Sequence, residues 1–185
     1  MVIGMEAMDQ LLMTCNSQHL NLYVESYLKT VQKLLESPAP EMQIRASESF
    51  LQFAQKEEDV PAYHRRYDFF ISKFSQMCHY ETNDPAITTK IRVSGLQGIG
   101  GVVKKIENED LAENIWSSTH MDKIIPSLLY NIQIGDYREG QGRDTPEVTI
   151  GDTVKSPLQI AEDTFRKLMG RATFLSIKNV MKPIL

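Results

Sequence analysis

The chain holds little of what a chemical site usually needs. Two cysteines in 185 residues, Cys15 and Cys78, are too few for a disulfide framework. Both fall on apolar helical faces, as expected for reduced, buried thiols of a cytosolic protein. No apolar run approaches the roughly 18 to 20 residues of a membrane-crossing helix. The first residues lack the charged region, apolar core and cleavage site of a signal peptide.

Catalytic motifs are missing too. A nucleophile elbow needs Gly-x-Ser-x-Gly, and Ser94-Gly95 has no upstream glycine. The phosphate loop pattern Gly-x-x-x-x-Gly-Lys-Ser/Thr is absent. The run from Gly95 to Gly101 superficially resembles a dinucleotide loop, but Ile87, Ile91, Val102 and Val103 place it inside a helix. Its four glycines cost that helix about 0.8–1 kcal/mol each, so they are expected to serve close helix packing. Cys78-His79 is adjacent rather than spaced as a chelating pair, and no second cluster accompanies it. His19, His64 and His120 stand alone, as loop or capping residues. Glu57, Glu58 and Asp59 read as a solvated helix end. No catalytic, cofactor-binding or metal-binding residues are assigned, and no cofactor is implied.

What is present is helical periodicity. Apolar residues 42% and charged residues 24% fit one folded domain rather than a disordered chain. Leu20, Tyr23, Val24, Tyr27, Leu28, Val31, Leu34 and Leu35 form an unbroken helical stripe. Tyr67, Phe70, Ile71, Phe74, Met77 and Cys78 repeat it about 45 residues later. Paired stripes at that period mark an armadillo/HEAT-type α-solenoid, an all-α fold. Helices are expected at 2–16, 20–36, 40–57, 65–79, 86–106, 121–133, 157–170 and 174–184, paired in sequence as antiparallel hairpins. Pro40 and Pro85 open helices, with Asp84 as a cap, and Gly170 closes one. No sheet is expected, because no stretch alternates at period two. Both ends are in mid-pattern without a polar capping repeat, which reads as an internal piece of a longer protein.

The organisation is therefore helical repeats over 1–133, an insertion over 134–156, and the start of a further repeat over 157–185. The insertion holds four of the ten glycines and eight charged residues, too little apolar surface to offset ordering. It is expected to be flexible.

Charge is uneven. Residues 65–105 carry seven bases (Arg65, Arg66, Lys73, Lys90, Arg92, Lys104 and Lys105) against Asp68, Glu81 and Asp84. The segment is thus basic within a chain of net charge −4. These seven form a candidate patch for an anionic lipid surface, at about 1 kcal/mol per base near the headgroups. An ordinary mixed helical surface is the alternative. Nucleic acid fits less well, because Tyr67, Phe70 and Phe74 lie on the buried stripe and cannot stack on bases.

The run Glu58-Asp59-Val60-Pro61-Ala62-Tyr63-His64-Arg65-Arg66-Tyr67-Asp68-Phe69-Phe70 strongly resembles the Efr-three family, also called rolling blackout or stambha A. Ala7 to Met13, Val24 to Leu28, Val31 to Ser37, His120 to Leu129 and Leu168 to Phe174 agree with it in order. Only 134–156 stands apart. The resemblance implies an α-solenoid scaffold, not an enzyme, on the cytoplasmic face of the plasma membrane. It implies recruitment of phosphatidylinositol 4-kinase type III alpha through that complex's tetratricopeptide-repeat adaptor. It further implies that phosphatidylinositol 4-phosphate synthesis depends on the scaffold, whose basic surface meets anionic lipid. The family's acylated, cysteine-rich anchor and its adaptor-binding C-terminal region have no counterpart in these residues. A generic armadillo/HEAT protein-binding module without a membrane role is the alternative.

Overall fold

A computed structural model describes residues 2–14, 17–55, 64–106, 115–140, 147–150 and 153–184. Eight helices and one hairpin occur among them: α1 Val2–Thr14, α2 Ser17–Leu35, α3 Pro40–Ala54, α4 His64–Cys78, α5 Pro85–Lys105, α6 Ser118–Gly140, β1 Val148–Ile150, β2 Thr153–Lys155, α7 Pro157–Arg171 and α8 Ile177–Met181. Alternate helices share a layer. α2, α4 and α6 lie side by side in one, α3, α5 and α7 in the other, and α8 rests on α6. This is the expected all-α solenoid. The expected pairing of 40–57 with 65–79, 86–106 with 121–133 and 157–170 with 174–184 is corrected: across the layers α2 pairs with α3, α4 with α5 and α6 with α7, since the glycine face of α5 admits α4 most closely.

Local chemistry sets the helix starts. Asp84 Oδ1 accepts from the backbone N–H groups of Ala86 (2.8 Å) and Ile87 (3.2 Å), pairing two of the four N–H groups a helix start leaves open. Pro85 supplies a preset φ at the first helical position. At α7 the Ser156 hydroxyl accepts from Gln159 N while the Gln159 side chain accepts from Ser156 N, a reciprocal capping box. α3 opens on Pro40 without a side-chain cap.

The layers meet over an aromatic core. The Phe50 ring lies 4.8 Å from Phe70 and 4.9 Å from Phe74 between centroids, and all three are buried. Each such side chain contributes about 1.5–3 kcal/mol by leaving water. The Tyr27 hydroxyl, buried beside them, lies 2.7 Å from both Asp9 Oδ1 and the Ser49 carbonyl.

The glycines of α5 do what close packing requires. A Cβ at Gly95 would lie 2.8 Å from Phe74 O and Cys78 N, one at Gly98 would press on the Phe74 ring, and one at Gly101 would crowd Phe50 and Ala54. α4 thus approaches α5 at backbone distance, and α3 packs on it through the Phe50 and Ala54 side chains. Gly100 is different: only Thr164 Oγ1 lies near, at 3.5 Å.

Several expectations need correction. The helix expected at 121–133 runs from Ser118 to Gly140, so part of the 134–156 segment is helical. Gly135 is buried there because a Cβ would meet Leu158 Cβ at 2.6 Å; it is a packing glycine. A sheet exists after all. Val148–Ile150 pairs antiparallel with Thr153–Lys155, in registers too short to show alternation. α8 begins at Ile177 rather than 174, leaving Phe174 and Leu175 outside it and exposed. α7 continues through Gly170 to Arg171. His120 is no loop residue but a buried member of α6, with Nε2 2.8 Å from Asp68 Oδ1. Cys78 is buried as expected, and burial pushes its thiol well above the usual range. Cys15, the Glu57-Glu58-Asp59 run and the side chains of His19 and His64 lie outside the described residues.

Candidate functional site

The seven bases of the 65–105 segment do not form one surface. Arg92 is 7% and Lys105 4% exposed, and both are spent inside the fold. Arg92 Nε donates to Tyr80 O at 2.9 Å, its Nη2 lies 2.8 Å from Glu81 Oε1 and 3.1 Å from the Tyr130 hydroxyl, and its guanidinium covers the Tyr130 ring. That arrangement ties the α4–α5 turn to α6. The Lys105 Nζ sits 4.7 Å from the Phe53 ring centroid. Periodicity places these two on the inner flanks of α5, where a base is kept only by such partners. Their inclusion in a lipid-facing patch is therefore corrected.

The others are divided between layers. Arg66 and Lys73 belong to α4, and Arg66 Nη2 is bound to Glu25 Oε1 of α2 at 2.9 Å. Lys90 and Lys104 are exposed on α5, fourteen positions apart and so on one flank about 21 Å from each other. The Arg65 side chain lies outside the described residues.

Lys104 belongs instead to a cleft absent from the sequence reading. A cavity of about 500 Å³ opens between α5 and α7, with Leu51 of α3 and Lys155 of β2 at its margins. Gln97, Gly100 and Lys104 face it from α5. Asp163, Thr164, Lys167 and Arg171 face it from α7, at the three- and four-residue steps that put side chains on one helix face. The capping box fixes where α7 starts, and so places Lys155 just ahead of it. Lys155 Nζ lies 2.6 Å from Asp163 Oδ2, while Arg166 Nη1 holds Asp163 Oδ1 at 3.2 Å. Hydrogen bonding from Lys155, then the fields of Lys155, Arg166 and Lys167, outweighs the cost of burial and keeps the Asp163 carboxyl below the usual carboxylate range. Arg171 Nη1 donates to Val103 O at 3.1 Å, a carbonyl in the last turn of α5 that also accepts from Ile106 N.

The four cations of this cleft face one acid. No cysteine or histidine lines it, and no group of three or more His, Cys, Asp or Glu able to hold a metal occurs among the described residues. Three of its bases escaped the sequence reading. Lys167 and Arg171 carried a four-residue spacing that marks a helix flank, but nothing in the sequence said that this flank faces Lys104.

Two layers of paired helices around a largely apolar interior define an armadillo-type helical repeat, a class that presents surfaces to partners. The whole chain, residues 1–185, matches the family described as EFR3, armadillo repeat. The chain is 52% identical over 184 residues to Protein EFR3 homolog B of Homo sapiens and 51% identical over 183 residues to that of Danio rerio, covering 99% of this chain in each case. It is 46% identical over 192 residues to Protein EFR3 homolog cmp44E of Drosophila melanogaster, again over 99% of its length. The chain belongs to the EFR3 family. It spans 22% of the length of each of these relatives. No solved structure matches it.

Proposed function

We propose that this chain is part of a peripheral scaffold at the cytoplasmic face of the plasma membrane that positions phosphatidylinositol 4-kinase type III alpha and so supports phosphatidylinositol 4-phosphate synthesis. The observation that carries the reading is family membership over the full chain, at 52% identity to the human homolog B. The architecture supports it: a rigid helical stack suits positioning by surface contact rather than bond making. No helix among the described residues is long and apolar enough to cross a membrane; exposed bases offer these residues a contact with anionic headgroups. Lys90, exposed on the flank of α5, is the residue of the original seven best placed for that, at about 1 kcal/mol near anionic headgroups.

A chimera tests the reading. The human homolog B, with its matching segment replaced by this chain, is expressed in cells lacking their own EFR3 proteins beside a plasma-membrane reporter of phosphatidylinositol 4-phosphate. Recovery of the reporter is expected. A chimera that folds and reaches the membrane yet leaves the reporter unrestored overturns the kinase role and favours a general protein-binding module. Flotation of the 185-residue chain with phosphatidylserine vesicles tests the charge contribution. Salt-sensitive binding, weakened in Lys90→Glu, is expected.

A further inference from the structure

The cleft between α5 and α7 has three properties that a joint between helices does not require. The first is charge. Lys104, Lys155 and Lys167 line it with Asp163 as the one acid, in a chain whose net charge is −4. Asp163 is already held at one oxygen by Lys155 and at the other by Arg166. Among the described residues, neither Lys104 nor Lys167 has a carboxylate within ion-pair distance.

The second property is shape. Its volume of about 500 Å³ suits a small ligand. The aliphatic walls, Leu96, Val103 and Ile160, keep water away from one side and concentrate the field of the cations. The third is the floor. Gly95, Gly98 and Gly101 are glycine because a neighbouring helix leaves no room for a Cβ, but at Gly100 a Cβ would meet only Thr164 Oγ1, at 3.5 Å. Packing does not demand glycine there, and its missing side chain keeps the cleft open.

We propose that this cleft binds a phosphate-bearing ligand, with Lys104 and Lys167 taking its charge and Gln97 and Thr164 offering neutral hydrogen-bond partners. A phosphate group carries up to two negative charges and three strong acceptor oxygens, which answers several converging cations better than a single carboxylate does. Arg171, anchored on the Val103 carbonyl, holds a further positive charge at the edge of the cleft. The source of the phosphate is either a soluble compound or a lipid headgroup. The inference is independent of the kinase reading, because it concerns a pocket rather than the exposed flank of α5.

The test uses the 185-residue chain and two probes: inorganic pyrophosphate, followed by calorimetry, and phosphatidylcholine vesicles carrying phosphatidic acid, followed by flotation against phosphatidylserine vesicles of equal charge. Saturable binding is expected, weakened about tenfold or more in Lys104→Ala/Lys167→Ala through loss of charge-assisted contacts. The same loss is expected in Gly100→Leu, which fills the cleft and removes no charge. Lys33→Ala/Lys178→Ala makes the same charge change at exposed positions outside the cleft and outside the 65–105 segment and should bind as the parent does. Pyrophosphate binding identifies a soluble ligand. Preference for phosphatidic acid vesicles without pyrophosphate binding, still lost in Gly100→Leu, identifies a headgroup. Absence of saturable binding to both probes overturns the proposal, as does binding that Gly100→Leu leaves intact. Should Gly100→Leu fail to fold by circular dichroism, the two double-lysine variants decide: equal losses in both would mean diffuse attraction and no site.

Discussion

The Cα of Gly98 faces the Phe74 ring so closely that a single added methyl group would collide with Phe74 Cδ1. The mid-helix glycines of α5 are therefore contact surfaces. Gly98→Ala should gain the roughly 1 kcal/mol of helix propensity that glycine forfeits and lose more to overpacking, for a net destabilisation of about 1–3 kcal/mol. Gly100→Ala, two positions on, meets only Thr164 Oγ1 at 3.5 Å and should stabilise by about 0.5–1 kcal/mol. Urea unfolding of the two variants beside the parent chain measures both. Equal effects would mean that the Phe74 ring does not press on α5 at Gly98.

Gly135 makes the same point where the composition reads as linker. Its Cβ position lies 2.6 Å from Leu158 Cβ, across the contact between α6 and the first turn of α7. Gly135→Ala should cost about 1–3 kcal/mol by overpacking. Gly140→Ala, with nothing within 4 Å, should stay within about 0.5 kcal/mol of the parent, like most surface changes. Thermal unfolding distinguishes them.

Arg92 and Glu81 form an ion pair at 2.8 Å whose members are unequally buried: the side chains are 9% and 71% exposed. Loss of either should not cost the same. Arg92→Ala strips a charged donor from the Tyr80 carbonyl and the Tyr130 hydroxyl and empties a packed site, an expected cost of about 2–4 kcal/mol. Arg92→Lys should recover little, because one ammonium cannot span partners held by a planar fork. Glu81→Gln removes an exposed partner and should cost under about 1 kcal/mol. Chemical denaturation of the three variants provides the comparison.

Asp163 gives stability a pH dependence of known sign. Its carboxyl is held below its ordinary range, chiefly by the hydrogen bond from Lys155, so the folded state binds its proton less readily than the unfolded state does. The stabilisation is fully present above the unfolded carboxylate pKa of about 3.9 and is lost as pH falls through the lower folded value. Its side chain is 41% exposed, so solvent screening keeps the effect small. The stability difference between the parent and Asp163→Asn should be constant from neutral pH to about 5, then shrink as acid is added. A difference that grew on acidification would reverse the assignment.

Helix identity was legible because the apolar stripes of α2 and α4 repeat at helical spacing through every turn. The caps at Asp84 and Ser156-Pro157 lie next to the residues they serve, so Asp84 could be read directly. Gly95, Gly98 and Gly101 could be read as packing glycines because the apolar periodicity continues around them. Gly135 could not: it opens a run rich in charge and glycine, and its reason for being glycine is Leu158, a residue on another helix. The β1–β2 hairpin escaped because three-residue strands offer too few positions for an alternating pattern.

Charge shows the division most plainly. The sequence alone determined that bases concentrate between residues 65 and 105, that the chain is a stack of helices, and, through long ordered matches, which family the chain belongs to. Only the tertiary structure decided which bases meet solvent. Lys104 and Lys105 are chain neighbours, yet one reaches a cleft and the other lies buried over Phe53. Adjacent residues on a helix point about 100° apart, and what stands in each direction is fixed by helices far away in sequence. The cleft follows the same logic. Lys155, Lys167 and Arg171 join Lys104 because α7 packs against α5, a contact between distant segments that no local pattern of residues encodes.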